Sequence, residues 1–377
     1  MAEPAAEPGQ AGLLSRAQAE VHYDEAVAEA VLACAEDTAG QRCYICFGEG
    51  DEDEGLVLGC ACRLDNGFAH VSCLARGAQA AVERDADTGW ARWYICGLCG
   101  QEYHGVVRCA LGWSCWKTYL GRPETDQARR LAMNLLGLGL FDAKHCEDAL
   151  SVQEAELSLR RRLDDSEENI LVAQGNIAVT YQRLGRLESA LQMKRDVYSG
   201  YLKLHGEEHE KTLLAANNYS TSLIDLQHSE EVKSLMRKTI PVAQRVLGES
   251  HNLTLRMKWN YARALYRYAD ATLDDLSEAV TRLEDAERTA RRVFGGTHPI
   301  TKGIGFHLRE SRAALRARET LDDESHETVD VPAQEDDADD IAAAPSEPSR
   351  PPTPATPASP AMPPPPVDAP PACFSCW

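Results

Sequence analysis

Eight cysteine and histidine residues follow the order C-x2-C-x13-C-x-C-x7-H-x2-C-x22-C-x2-C, formed by Cys43, Cys46, Cys60, Cys62, His70, Cys73, Cys96 and Cys99. A two-residue gap lets a turn present two sulfurs to one ion, and thiolate with imidazole suits Zn2+ in a closed tetrahedron. Eight such ligands predict two zinc ions. Pairs with short internal gaps, repeated along one short segment, are far more specific than a lone C-x2-C, which redox chemistry or chance also produces. Closed four-ligand sites leave no position for water or substrate, so the ions are expected to order the segment rather than to catalyse.

The rest of the composition supports this reading. The chain has 377 residues and 13 cysteines, most of them clustered in its first third. It begins MAEPAAEPGQ, without a basic, apolar leader, and apolar runs such as LLGLGLF are too short to span a bilayer. We therefore expect a soluble intracellular protein, cytoplasmic rather than nuclear, in which clustered cysteines bind metal rather than form disulfides. The formal net charge of −20, from 59 acidic and 39 basic residues, gives a field that repels phosphates and anionic membrane surfaces. Neither nucleic acid nor membrane is an expected partner.

Five segments are expected. Residues 1–38 hold a disordered Ala/Pro/Glu-rich start and then a helix, in which Val21, Ala26, Val27, Ala30, Val31 and Cys34 recur at helical steps. Residues 39–105 form the zinc finger, and 106–121 a connector in which Trp113, Trp116 and Tyr119 fix the finger against the next segment. Residues 122–317 are long, charged and amphipathic, an all-helical region. Residues 318–377 are an acidic and then Pro-rich disordered tail, unable to bury a core. Within it, Thr353, Thr356 and Ser359 precede prolines, PxxP stretches suit SH3 or WW modules, and Cys373 of the terminal CFSCW sits one residue too early for a prenylation box. Cys34, Cys109, Cys115 and Cys146 read as core thiols.

The helical region repeats itself every 42 residues, at Asn134, Asn176, Asn218 and Asn260. The stretches LHGEEHEKTLL, VLGESHNLTLR and VFGGTHPITKG also recur. His209 and His251 keep the period and His298 is displaced by five, marking an insertion near ATLDD. Each unit fits two antiparallel helices, with Gly206, Gly248 and Gly295 as left-handed caps and the histidines as turn residues. The asparagines either clamp the backbone of a peptide lying along the inner helices or bridge adjacent repeats; the sequence leaves both open. The fold class is thus mainly α: a small two-zinc finger followed by a solenoid of helix pairs.

The finger pattern resembles the RING-CH (RING-variant) finger, in which the histidine is fifth of eight ligands, one residue separates the third and fourth, and seven precede the histidine. That resemblance implies a cross-brace, with Cys43, Cys46, His70 and Cys73 on one zinc and Cys60, Cys62, Cys96 and Cys99 on the other. It also implies ubiquitin ligase activity, in which the finger docks a charged ubiquitin-conjugating enzyme and contributes positioning rather than a nucleophile. Ile45, just before the second ligand, and Leu98, between the last two, stand at the docking positions. This chain departs from the pattern at Gly77, where an aromatic residue commonly follows the sixth ligand by four, and at Gly100, where a basic residue commonly follows the last ligand. Both departures favour an alternative reading, a non-enzymatic scaffold. A third reading comes from the PHD finger, which shares the order of ligand types and has an aromatic residue where Tyr94 stands; it implies a histone-tail reader. Residues 122–316 resemble the tetratricopeptide repeats of kinesin light chains, which implies a concave groove binding a protein or peptide substrate or adaptor, with Asn134, Asn176, Asn218 and Asn260 along it.

Overall fold

The computed structural model describes residues 15–50, 54–62 and 67–327. The start of the chain, the Pro-rich tail with its phosphorylation and PxxP motifs, and CFSCW lie outside the described residues. None of the described helices is long and apolar enough to cross a membrane. The described chain divides between Asn260 and Tyr261 into two units.

The first unit begins with α1 (Arg16–Thr38), whose N-terminus is capped by Ser15 accepting from the Gln18 N–H at 3.2 Å. Its buried face is made of small residues, Ala19, Ala26, Ala30 and Cys34, which lets a partner helix approach closely. That partner is α3 (Gly105–Tyr119), the expected connector. Val107, Cys109, Ala110, Leu111, Trp113, Cys115 and Trp116 are all buried, so α3 is covered on every side. His22 of α1 stacks on Trp113 with ring centroids 4.8 Å apart, and Lys117 lies over the Tyr23 ring at 3.7 Å.

On its other side α3 meets α4 (Gln127–Asp142). Here the backbones nearly touch. A Cβ on Gly139 would come within 2.8 Å of the Arg108 carbonyl oxygen, and one on Gly112 within 3.1 Å of that of Leu135. These two glycines explain why GLGL and ALGW can cross at such short range. One continuous core runs from Ala19 and Cys34 through the finger residues Leu56, Val71 and Trp93 to Leu136, Phe141 and Val152.

Between α1 and α3 lies the finger. It contains a two-stranded antiparallel sheet, β1 (Leu56–Val57) and β2 (Ala69–His70), paired Leu56 with His70 and Val57 with Ala69. Then come α2 (Val71–Arg84) and a 3-10 turn over Gly89–Trp93. Trp90 and Trp93 pack on Tyr119 of α3 at 5.0 and 6.1 Å, joining the finger to the connector.

Helix pairs come next: α4 with α5 (Cys146–Arg162), α6 (Glu167–Arg183) with α7 (Leu187–His205), α8 (Glu210–Asp225) with α9 (Ser229–Leu247), then α10 (Asn252–Tyr266). The second unit takes the end of α10, α11 (Leu273–Phe294) and α12 (Pro299–Glu327). α11 begins with a capping box in which Thr272 and Asp275 bond each other's backbone N–H groups. α12 continues past Leu321 into the acidic stretch.

Gly206, Gly248 and Gly295 close α7, α9 and α11 with φ of 82°, 94° and 83°. Their ψ values of 178°, 160° and 165° place them in an extended mirror region open essentially to glycine alone, rather than in the left-handed helical region expected from the sequence. The chain therefore leaves each helix extended and turns into the next histidine. His209, His251 and His298 then do more than turn: each ring Nδ1 accepts the backbone N–H two residues on, from Lys211, Leu253 and Ile300, at 3.2, 3.3 and 3.2 Å. They serve as side-chain caps of α8, α10 and α12.

Candidate metal centres

Two knuckles of the same construction carry four of the eight candidate ligands. In the first, Cys43 N–H donates to Gly48 O (2.8 Å), Phe47 N–H donates to Cys43 O (2.8 Å), and a bridge links Arg42 to Glu49. In the second, Cys96 N–H donates to Gln101 O (2.8 Å), Gly100 N–H to Cys96 O (3.0 Å), and the bridge links Ile95 to Glu102. Backbone N–H groups point at the sulfurs: Ile45 at Cys43, Gly48 at Cys46 and Leu98 at Cys96, each at 3.4 Å. Of the remaining ligands, two lie in irregular chain and two in regular elements. Cys60 and Cys62 follow β1, His70 ends β2, and Cys73 sits in the first turn of α2.

The eight side chains gather in two sets, Cys43, Cys46, His70 and Cys73, and Cys60, Cys62, Cys96 and Cys99, with the ligand atoms of each set within 4.8 Å of one another. This is the alternation that the RING-CH resemblance implies. A tetrahedron with Zn–S bonds of about 2.3 Å has S···S edges of roughly 3.8 Å. The observed edges match that shape: Cys46 Sγ to His70 Nδ1 at 3.4 Å, Cys73 Sγ to the same nitrogen at 3.8 Å, and Cys62 Sγ to Cys96 Sγ at 3.7 Å. His70 turns Nδ1 to the sulfurs and Nε2 to the Glu49 carbonyl oxygen at 3.3 Å, an outer contact that selects the tautomer needed for ligation.

The electrostatics of the sulfurs point the same way. Burial opposes ionisation of Cys43, yet the backbone N–H groups of Cys46, His70 and Ile45 outweigh it and bring the thiol down to about 6. At Cys96 burial is again overcome, by the N–H groups of Cys99 and Leu98, to about 7. Their neighbours go the other way: burial first, then the crowding sulfurs, push Cys62 and Cys73 up to about 11 and raise Cys60 as well. Four sulfurs this close do not all ionise unless a cation sits among them, and a dication is what the donor set fits. Outside the clusters, burial followed by Glu29, Asp148 and Asp142 pushes Cys109 up to about 12, and burial raises Cys115 well above the ordinary thiol range. Both are buried core thiols in α3.

Several contributors were not visible in the sequence. Glu54 accepts from the Ser72 N–H at 2.9 Å and from its hydroxyl at 2.8 Å, tying the loop before β1 to the start of α2. Arg76 donates to Cys73 Sγ at 3.2 Å. Phe47 adopts φ of 63°, a left-handed conformation costly for a non-glycine residue, and its ring is 76% exposed. No spacing rule flags any of these three roles, although the glycine at the matching step of the second knuckle is a hint for Phe47.

The two positions expected to meet a conjugating enzyme lie one on each knuckle, Ile45 38% and Leu98 52% exposed. Gly77 sits on α2, and a Cβ there would meet nothing within 4 Å. A cavity of about 720 Å3 opens beside the second knuckle, lined by Ala81, Arg84, Arg92, Ile95 and Leu98 among others.

The asparagine series is mostly buried. Asn134 donates to Glu156 Oε2 at 3.3 Å. Asn176 and Asn218 are buried in α6 and α8, and Asn218 Oδ1 accepts from Asn217 at 3.4 Å. Asn260 is also buried and donates to Asn217 Oδ1 and Ser220 Oγ, both at 3.1 Å, so at this step the side chain bridges one repeat to the next.

Comparison with known proteins places residues 43–99 in the RING-variant domain family and residues 170–210 in a tetratricopeptide repeat family. None of the curated proteins compared with the chain matches it. Among solved structures, BtubC (BKLC) from P. vanneervenii is 14% identical with a TM-score of 0.41, covering 73% of this chain and 97% of its own. Two structures of a protein from Podosopora anserina, described as a putative kinesin light chain with nearly identical TPR-like repeats, are also similar. Its single-substitution variant is 17% identical with a TM-score of 0.42 and covers 59% of this chain and 96% of its own; the other form is 18% identical with a TM-score of 0.41 and covers 60% and 98%. The chain thus joins a RING-variant zinc-finger domain, with two Cys/His clusters shaped for zinc, to TPR-like helical repeats.

Proposed function

We propose that this protein is a RING-type ubiquitin ligase in which each cluster holds one Zn2+, the finger docks a ubiquitin-conjugating enzyme, and the repeats bind a protein substrate or adaptor. The observation that carries the reading is the pair of knuckles, each held rigid by N–H···S bonds and each presenting one exposed aliphatic side chain, Ile45 and Leu98. Small zinc domains have little apolar surface, and exposed pieces of it commonly meet partners. Zinc plays a structural part, since four protein ligands close each tetrahedron. The ligase then works by holding the conjugating enzyme and the target lysine together, which converts an encounter between two molecules into a reaction within one assembly.

On the repeats, Asn134, Asn176 and Asn218 are the residues we assign to a peptide backbone. Asn260 is assigned with them, while its amide also bridges to Asn217 and Ser220.

One observation favours the scaffold alternative. At Gly77 the surface of α2 carries no side chain where RING-CH fingers commonly present an aromatic one, and Trp90 and Trp93 are turned instead to Tyr119.

The deciding experiment is autoubiquitination by the purified, zinc-loaded chain against a panel of conjugating enzymes, with Ile45→Ala and Cys43→Ser beside the wild type. Chains that form with wild type and vanish in both variants support the ligase. A folded, zinc-loaded protein that forms no chains with any enzyme in the panel supports the scaffold.

A further inference from the structure

The end of the described chain separates its charges along its length. Between Pro299 and Arg318, α12 carries Lys302, Arg309, Arg312, Arg316 and Arg318 against Glu310. Lys302, Arg309, Arg316 and Arg318 are exposed. From Glu319 to Asp340 the balance reverses, with eleven acidic residues and no lysine or arginine. In a chain whose overall charge is −20, a cationic surface is an exception that invites an anionic neighbour.

That surface extends onto the end of α10, which from Tyr261 on belongs to the same unit. Tyr266 of α10 and His307 of α12 share a short hydrogen bond, which fixes the end of one helix against the other. Arg263 and Arg267 flank this contact. Burial, and then the fields of Arg263 and Arg267, hold His307 down to about 3, so both guanidiniums act on the same spot. Arg267 is exposed, and Phe306 beside His307 is 40% exposed. The patch therefore combines two guanidiniums with an open aromatic ring, beside the carboxylate of Glu310, whose field also reaches Tyr266.

Chain length decides which anionic segment reaches it. From His307 to Glu327 the helix advances about 30 Å, at 1.5 Å per residue. A chain returning over that distance in extended form needs roughly nine residues at about 3.3 Å each. Counting from Glu327, the ninth residue is Asp336, inside the run EDDADD at 335–340. A chain that folded back in this way would bring its densest cluster of carboxylates level with Arg263 and Arg267.

We propose that residues 335–340 fold back along α12 and dock on the cationic surface made by Arg263, Arg267 and the basic half of α12. The chain's own acidic segment then occupies this end of the repeats and competes there with acidic peptides. Such docking is independent of ligase activity and of the zinc assignment.

The test uses the full chain and a fluorescein-labelled synthetic peptide, PAQEDDADDIA, with binding read by anisotropy at low salt. Three proteins are compared: wild type; a tail-neutralised form with Glu335→Gln and Asp336, Asp337, Asp339 and Asp340→Asn; and that form with Arg263→Gln and Arg267→Gln added. A tethered segment acts at an effective concentration in the millimolar range, so the tail-neutralised form is expected to bind the free peptide at least ~10-fold more tightly than wild type. The arginine replacements should abolish that gain, as should 0.5 M salt, at which screening acts over only a few ångströms, about 3–5 Å. Arg267→Gln alone, at an exposed position, should keep the melting temperature while weakening the peptide. Equal affinity of wild type and the tail-neutralised form overturns the proposal, as does peptide binding that ignores both arginines.

Discussion

Phe47 and Gly100 stand at the same step of the two knuckles, one residue after the second ligand, with φ of 63° and 70°. The backbone demands a left-handed residue at both places, and glycine meets the demand without cost while phenylalanine does not. Glycine at position 100 thus relieves the backbone, where a basic side chain would carry the strain that Phe47 carries. At Phe47 the strain is retained with a large ring left in solvent, on the same knuckle as Ile45. Phe47→Gly is expected to stabilise the zinc-loaded finger by about 1 kcal/mol. If the ring belongs to the conjugating-enzyme surface, the same variant loses ubiquitin transfer. Thermal unfolding and autoubiquitination measured on one preparation separate the two effects, and a variant that is more stable and fully active removes Phe47 from the interface.

Replacing Cys43 and Cys46 together by serine should release zinc and disorder the finger. Binding of zinc supplies ~10–16 kcal/mol of apparent folding energy in finger peptides, far more than a small apolar core recovers. Because α1 and α3 share that core, helicity lost should extend beyond the finger while α6 to α9 remain folded. Zinc content by mass spectrometry with far-ultraviolet circular dichroism checks this; two zinc ions retained per chain would refute the ligand assignment.

Lys194 is 3% exposed at a step where the repeats on either side place Val152 and Met236, 42 residues away in each direction. Its ammonium donates to Gln182 and, at 3.2 Å, to Thr221, and Gln182 in turn bonds Asp225. Burial, opposed only by Asp225, lowers this lysine to about 7. In the unfolded chain it titrates near 10.5, so between about pH 7 and 10.5 the unfolded state binds the extra proton and stability climbs with pH. Below that window the group is charged in both states and contributes no slope. Lys194→Met should raise stability near neutrality by about 1–4 kcal/mol, as when other buried charges give way to apolar residues, and flatten the alkaline slope. Urea denaturation at pH 7 and pH 9 measures both.

Gly77→Trp tests the empty place on α2. A Cβ there meets nothing, so the variant should fold, and leaving glycine in a helix interior adds roughly 0.5–1 kcal/mol of stability. On the ligase reading the new ring strengthens docking, visible as faster chain formation with the same conjugating enzymes. A stable, zinc-loaded variant with no change in enzyme binding or rate counts for the scaffold.

The ligand set was legible because metal chemistry allows few residue types and short gaps, and the repeats were legible because Asn and His recur at a fixed step. Other features depend on contacts far apart in sequence. The capping by His209 needs the geometry of Gly206 before it, and the burial of α3 needs α1 on one side and the glycines of α4 on the other. Glu54 finds Ser72 across 18 residues of loop and strand, which no local pattern announces. From the sequence Asn260 read equally as a peptide clamp or as a bridge between repeats; that its amide is directed at Asn217 and Ser220 depends on the stacking of one helix pair on another.

The unbroken core through α1, the finger, α3 and α4 bears on how such a chain can be rearranged. A finger lifted out at residues 39–105 would leave Tyr119 and Val107 of α3 uncovered, and would itself lose the supports that these give to Trp90, Trp93 and Gly59. The transplantable piece is larger than the zinc pattern: it starts at α1 and ends only after the first helix pair. Any exchange of fingers between repeat proteins of this design has to carry those helices along, so ligand spacing and the composition of α3 are inherited together.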